Sequence, residues 1–163
     1  MQNIVPFLWF NDEAEEAANY YVSIFKSSKI DNISRYGDAG PGPKGGAMVV
    51  EFTLEGQEFM ALNGFGDSEK ASSLQVGSIA LYVNCETQAK VDQLWDKLSE
   101  GGEKLPCGWV RDKFGFAWNI VPVGIMDYVG GPDPEKAQRA MKAMLQMEKL
   151  DIDELRRAYA GSN

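Results

Sequence analysis

Any chemistry in this chain has to use carboxylates, hydroxyls, Lys, Arg or a thiol, because the sequence contains no histidine. Histidine is the commonest general base of enzymes and the commonest metal ligand of proteins, so its absence removes both roles. Cys85 and Cys107 lie 22 residues apart without a C-x-x-C partner. This spacing indicates neither a disulfide framework nor a zinc knuckle. We expect two small buried side chains, although the turn around Cys107 could expose a reactive thiol.

Two glycine-rich segments resemble anion-binding loops only superficially. The segment 37–46 contains five Gly and two Pro and leads into residues typical of a strand, whereas a P-loop opens a helix. The segment Gly64–Ser68 is similar to the glycine loop of a Rossmann methyltransferase, but no acidic residue ends a following strand at the required spacing. We interpret 37–46 as a long hairpin loop and 65–77 as a connector.

The charge balance excludes one class of partner. Twenty-four acidic and sixteen basic side chains give a net charge of −8, the wrong sign for binding the phosphates of nucleic acid. The excess favours a cationic ligand, or serves only the solubility of the surface. No apolar segment is long enough to span a membrane and no secretory signal is visible, so we expect a cytoplasmic protein without membrane contact.

The elements that must position these groups occur twice. Residues 1–64 read as an apolar strand, a polar break, an amphipathic helix from about Asp12 and further strands, and residues 78–123 repeat that order. The pattern predicts an α+β fold of two β-α-β-β-β modules with curved mixed sheets, within one domain of residues 1–163. A helical tail over 132–160 follows, with helix starts at Asp133 and Asp151. Its methionine stripe, Met141 and Met144, is expected to pack in the core or in a dimer interface.

Several stretches of the sequence resemble the vicinal oxygen chelate superfamily, the glyoxalase and bleomycin-resistance group. Within it they look like the PhnB-like group, which often carries the name 3-demethylubiquinone-9 3-methyltransferase. The resemblance rests on Pro6–Phe10, Glu13–Ala17, Tyr36–Pro41, Gly56–Asn63, Val83–Gln88, Cys107–Trp109 and Asp112–Ile120, and it extends into the tail at Asp133–Ala137. It implies two modules that enclose a pocket for a small molecule, and a homodimer.

The same resemblance allows a test for a metal centre. Metal-dependent members place one His, Glu or Gln on the first and last strand of each module. Those four places fall near Val5, Ala61, Ser78 and Asn119 of this chain. None of these side chains is an imidazole or an anion, so we expect neither a metal ion nor another cofactor.

Strand alternation then predicts which side chains line the pocket. The predicted ligand-binding residues are Phe7, Trp9, Phe59, Ala61, Asn63, Ser78, Tyr82 and Asn119. The opposite faces are expected to pack under the helices through Leu8, Phe10, Met60, Leu62, Ile79, Leu81, Val83, Trp118 and Ile120. The predicted pocket is aromatic and aliphatic with few polar atoms, which suits a small aromatic or cationic ligand.

Three functions remain open from the sequence. The first is metal-independent binding of a small molecule, with the alternative that the aromatic side chains merely fill the space. The second is an isomerase, lyase or dioxygenase-type enzyme that uses Tyr82, Ser78, Asn119 or a carboxylate. The third is the methyltransferase of the group's name, which requires a site for S-adenosylmethionine that no motif supplies. The identity of the ligand does not follow from the sequence.

Overall fold

The computed structural model describes residues 5–37, 42–64 and 80–161. The chain divides into two compact units, Met1–Val76 and Gly77–Asn163. The division falls within the connector expected at 65–77, all of which lies outside the described residues. The organisation of both units as one domain stays a prediction. Among the described residues, no helix is long and apolar enough to cross a membrane.

The first unit is a four-stranded mixed sheet with one helix against it. Its elements are β1 (Phe7–Phe10), α1 (Ala14–Ile24), β2 (Lys29–Arg35), β3 (Ala47–Leu54) and β4 (Gln57–Asn63). The strand order is β1-β4-β3-β2. β1 runs parallel to β4, and the other two pairings are antiparallel. The connection from β1 through α1 back to the sheet therefore places the chain's first strand beside its fourth.

Small side chains let α1 lie close to this sheet. Ala14, Ala17 and Ala18 are all fully buried, and Tyr21 beside them stacks on Phe52 with ring centroids 6.3 Å apart. A row of alanines brings the helix backbone near the strands, and the aromatic rings fill the remaining depth. The predicted apolar stripe of α1 is confirmed.

The start of α1 is held by a residue distant in sequence. The helix begins one residue after Glu13, whose side chain forms no cap. The Ala14 N–H instead donates to Asn63 Oδ1 at 2.8 Å. The expected start at Asp12 is therefore wrong, because the free amide of the first turn is satisfied from β4.

Asn63 also connects β4 to its neighbours. Its Nδ2 donates to Ala47 O at 3.1 Å, and the Tyr36 hydroxyl donates to Asn63 O at 2.6 Å. The residue is only 2% exposed. Both the oxygen and the nitrogen of the Asn63 side chain therefore form hydrogen bonds. This holds α1 and β3 in place, because a broken bond would leave a buried polar atom without a partner.

The second unit repeats this plan. Its elements are β5 (Leu81–Cys85), α2 (Gln88–Ser99), β6 (Glu103–Lys104), β7 (Trp109–Arg111) and β8 (Ala117–Pro122). The strand order is β5-β8-β7-β6, and β5 runs parallel to β8. The predicted α+β fold with two mixed sheets is thereby confirmed. The sequence did not reveal β6, because two residues are too short for a periodic signal.

The core of the second sheet lies under α2. Thr87 caps that helix by accepting from the Lys90 N–H, and α2 buries Val91, Leu94, Trp95 and Leu98. The sheet contributes Val110, Trp118 and Ile120. The predicted packing of Trp118 and Ile120 under the helix agrees with this arrangement.

Three helices follow the second sheet and belong to the same unit. They are α3 (Ile125–Val129), α4 (Pro134–Met144) and α5 (Ile152–Ala160). Asp133 and Asp151 cap the last two, as predicted. The tail packs through a cluster formed by Val121, Ile125, Met147, Leu150 and Leu155. Of the predicted methionine stripe, Met144 packs against this cluster, whereas Met141 is exposed, so core packing is found for only one of the two.

The buried carboxylate of Asp112 stabilises the turn between β7 and β8. Asp112 is 2% exposed, and its carboxylate accepts from Phe114 N, Phe116 N and Trp118 Nε1 at 2.9, 3.0 and 2.7 Å. We expect Asp112→Asn to lower the free energy of unfolding by about 2–3 kcal/mol, because its NH2 group would face a donor. Urea denaturation measures the change.

The exposed Asp96 on α2 gives a matched control. Asp96→Asn should change the free energy of unfolding by less than about 0.5 kcal/mol, as surface substitutions usually do. Equal losses in the two variants would contradict the structural role assigned to Asp112.

Candidate functional site

Each sheet has one face covered by its helix, and the opposite face is here called the far face. On the first sheet the strand register places Phe7 and Trp9 of β1 beside Met60 and Leu62 of β4. The adjacent strand β3 continues this face with Val49, Glu51 and Thr53. Phe7 is 54% exposed. The predicted orientation of Phe7 and Trp9 away from the helix therefore agrees with the structure.

Three other predicted pocket residues lie on the opposite side. The parallel register pairs Ala61 with Leu8 and Asn63 with Phe10, and it pairs Phe59 with Phe52 across β3. All six side chains of these three pairs are buried. The expected orientation of Phe59, Ala61 and Asn63 is therefore wrong, because a shift of one residue in register turns a whole strand over.

The first unit contains a small pocket lined by residues of both faces of its sheet, including the predicted residue Phe59. The pocket has a volume of about 60 Å³ and is lined by Val5, Asp31, Glu51, Phe52, Glu58, Phe59 and Met60. Lys29 Nζ lies 2.7 Å from Asp31 Oδ1, and the Thr53 hydroxyl donates to Asp31 Oδ2 at 2.6 Å. The hydrogen bond from Lys29, and then that from Thr53, lowers the pKa of Asp31. Asp31 is therefore ionised at neutral pH.

The far face of the second sheet brings two predicted residues together with a third. Tyr82 of β5 pairs with Asn119 of β8, and Asn119 pairs with Trp109 of β7. Tyr82 is 56% exposed and Trp109 is 38% exposed, whereas Asn119 between them is buried. We call these three side chains the Tyr82–Asn119–Trp109 row. Trp109 was not among the predicted ligand-binding residues.

The polar groups of this row have defined states. Asn119 Nδ2 donates to Cys107 O at 3.1 Å, and its Oδ1 makes no hydrogen bond to any residue that the structure describes. Desolvation, with a smaller effect of Cys85, raises the pKa of Tyr82. The phenol is therefore neutral at physiological pH, so it can donate a hydrogen bond but is a poor proton acceptor.

The four places compared with metal ligands do not form a coordinating set. Val5 lies at the pocket of the first unit, Ala61 lies under α1, and Asn119 belongs to the row. Ser78 lies outside the described residues. Within residues 5–37, 42–64 and 80–161, no group of three His, Cys, Asp or Glu side chains could hold a metal ion. Neither Cys85 nor Cys107 forms a disulfide in the part of the chain that the structure describes.

Comparison with known proteins shows which family this chain matches. The family model described as 3-demethylubiquinone-9 3-methyltransferase matches residues 2–121. The PhnB protein of Bacillus cereus is 36% identical with a TM-score of 0.65, over 75% of this chain and 100% of its own. A Pseudomonas aeruginosa protein shares the fold at 22% identity and a TM-score of 0.59, over 75% of this chain and 98% of its own. No curated protein matches the chain significantly.

Both units share one β-α-β-β-β plan, in which α1 or α2 covers one face of the sheet. The chain belongs to the 3-demethylubiquinone-9 3-methyltransferase family and is similar to the PhnB protein of that family. The predicted resemblance to the PhnB-like group is thereby confirmed. It was expected to include Asp133–Ala137, whereas the matched region ends at residue 121, before the tail helices.

Substitution of Asn63 tests whether this residue has a structural role instead of the predicted role in ligand binding. We expect Asn63→Ala to lower the free energy of unfolding by about 2–4 kcal/mol, because it leaves the Ala14 amide and the Ala47 carbonyl without their partner. Chemical denaturation followed by circular dichroism measures this loss. The exposed Asn32 of β2 provides the control. Wild-type stability in Asn63→Ala would contradict the structural role.

Proposed function

We propose that this protein binds a small molecule with an aromatic body at the Tyr82–Asn119–Trp109 row, without a metal ion. The observation that carries the proposal is the placement of two exposed aromatic side chains on either side of a buried amide. Aromatic walls with a few convergent polar atoms are typical of small-molecule sites. The superfamily membership is compatible with many ligands, so the ligand class is inferred from the row itself.

The chemistry of the row defines what it would recognise. Tyr82 and Trp109 can pack against a ring, and each such aromatic contact contributes about 0.5–1.5 kcal/mol beyond its buried area. Asn119 Oδ1 can accept from an N–H or O–H of the ligand, while the neutral Tyr82 hydroxyl can donate. A planar molecule with one donor near its centre fits these groups.

A cationic ligand is the second candidate, and the pocket of the first unit supports it. Glu51, Glu58 and Asp31 line that pocket together with the apolar Val5 and Met60. Carboxylates beside apolar walls would attract an organic ammonium group more than an anion. The net charge of −8 acts in the same direction.

Two observations weigh against the alternatives. Aromatic side chains that merely filled a cavity would be buried, yet Phe7 and Tyr82 are more than half exposed. An enzyme that used Tyr82 as a base would need a lowered pKa, and desolvation raises it. We therefore favour binding over proton abstraction at this residue.

The wider setting of the protein is also proposed. We infer a cytoplasmic location, since neither described cysteine forms a disulfide. We infer a homodimer, since several large apolar side chains are exposed. Those side chains include Met126 and Leu145 of the tail region. Light scattering distinguishes the dimer from a monomer of 18.0 kDa.

Substitution of the aromatic residues tests the proposed site. Thermal-shift screening of aromatic metabolites, organic cations and S-adenosylmethionine should yield an aromatic compound that raises the Tm by linkage. We expect Trp109→Ala and Tyr82→Ala each to weaken its binding about tenfold, because each removes one aromatic wall. Isothermal titration calorimetry measures the affinity.

Tyr20 of α1 supplies the control, because it is aromatic and partly exposed but lies on the helix of the first unit. Tyr20→Ala should leave the affinity unchanged. Equal effects of all three substitutions would contradict a site at the row. Binding of S-adenosylmethionine alone would favour the activity in the family's name.

Chelation tests the absence of a metal requirement. We expect the affinity for the aromatic compound to stay the same after dialysis against EDTA, because no anionic or imidazole ligands stand at the compared positions Val5, Ala61 and Asn119. Calorimetry before and after dialysis, with elemental analysis of both samples, measures the outcome. Loss of binding on chelation and its return with added Zn²⁺ or Mn²⁺ would refute metal independence.

A further inference from the structure

The turn before β7 has an unfavourable backbone conformation next to the row. It spans residues 106–109 and leads directly into Trp109. Cys107 and Gly108 have φ angles of +61° and +78°. The left-handed region is costly for a residue with a side chain, by roughly 1–3 kcal/mol, so Cys107 depends on its surroundings to stay there.

The tail of the second unit supplies contacts that hold this turn. The Cys107 N–H donates to Met147 O at 2.8 Å, and the Gly108 N–H donates to Glu148 O at 2.6 Å. Leu150 packs on the same turn so closely that a Cβ on Gly108 would lie 2.9 Å from its Cδ1. Two consecutive amides of the turn are thus satisfied by the segment between α4 and α5.

The carbonyl groups of the same turn point to β8. Cys107 O accepts from Asn119 Nδ2 at 3.1 Å, and Gly108 O accepts from the Ile120 N–H at 2.8 Å. The turn therefore donates hydrogen bonds to the tail and accepts hydrogen bonds from β8. Trp109 follows immediately, so its position beside Asn119 depends on both sets of bonds.

One side chain of α2 holds the tail segment in place. Gln88 Nε2 donates to Leu150 O at 2.9 Å, and Gln88 Oε1 accepts from the Ile152 N–H at 3.1 Å. Lys149 adds an ion pair to Asp92 at 2.7 Å. The Gln88 amide uses both of its ends on the tail backbone, which fixes the segment between Leu150 and Ile152 in register with α2.

We propose that the tail segment 145–152 is a positioning element for the candidate ligand site. It holds the 106–109 turn and thereby sets Trp109 against Asn119 and Tyr82. The consequence for affinity rests on the proposed function, whereas the positioning of Trp109 does not. The segment lies beyond residue 121, where the family match ends. The geometry of the row is therefore set by a part of the chain outside the matched family region.

Loosening the tail at Gln88 tests this inference without changing any side chain of the row. We expect Gln88→Ala to speed amide hydrogen exchange at Cys107 and Gly108 about tenfold, because local opening of the tail exposes both N–H groups. In protein labelled with 5-fluorotryptophan, the ¹⁹F resonance of Trp109, assigned with Trp109→Phe, should shift or broaden. Gln93→Ala on the same helix serves as the control and should change neither signal.

A second variant guards against general damage to α2. Lys149→Ala removes the ion pair with Asp92 and the attraction to Asp96 and Asp151 but keeps both hydrogen bonds of Gln88 to the tail. It should change the same amides and the same resonance to a smaller extent. If exchange at Ile152 becomes faster in Gln88→Ala while Cys107 and Gly108 stay as in the wild type, the inference is wrong, because the tail would be loose without freeing the turn.

Titration with indole separates this inference from the proposed function. We expect indole to shift the Trp109 resonance of the wild type, and Gln88→Ala to need about five times more indole for the same shift. Failure of the wild type to bind would count against the aromatic site but not the positioning, which the exchange data then decide. Equal indole affinity in both proteins, despite a mobile Trp109, would overturn the link between tail and affinity.

Discussion

The parallel pairing of the first strand with the last strand determines what each unit of this protein can offer a ligand. In a sheet with one face packed under a helix, the register of that pair decides which half of the side chains is buried. In the first unit the pairing of Leu8 with Ala61 assigns both to the core. In the second unit the pairing of Tyr82 with Asn119 leaves both on the far face. The candidate site follows from these two registers more than from any motif.

The two units use the same architecture with different polar chemistry. In the first unit the buried amide of Asn63 lies under the helix, where both its oxygen and its nitrogen form hydrogen bonds with backbone groups. The second unit places Asn119 on the far face, where only its Nδ2 is bonded to a described residue. One asparagine is therefore structural, and the other keeps an acceptor for a ligand. A carboxylate-lined pocket and a neutral aromatic row thus arise on related sheets.

Local patterns in the sequence were sufficient for most of the elements, for the family and for the placement of Tyr82 and Asn119 on one face of the second sheet. Alternation within a strand is a local property, so it separated the two faces of each strand correctly. Which residues of β1 and β4 share a face of the sheet is not a local property. It depends on how the alanines of α1 pack against the sheet. That is why Phe59, Ala61 and Asn63 were assigned to the wrong face. Trp109 needed the pairing of β7 with β8, which a three-residue strand does not reveal.

The contrast between the two helix starts has a kinetic consequence. Thr87 satisfies the first turn of α2 from three residues away, so that helix can nucleate from its own sequence. The Ala14 N–H donates to Asn63, which lies 49 residues later in the chain. The first turn of α1 therefore lacks this hydrogen bond until β4 has joined the sheet. Closing so long a loop is entropically costly before its contacts form, which slows assembly. A duplicated architecture is thus compatible with unequal folding rates, with the C-terminal copy forming its helix earlier.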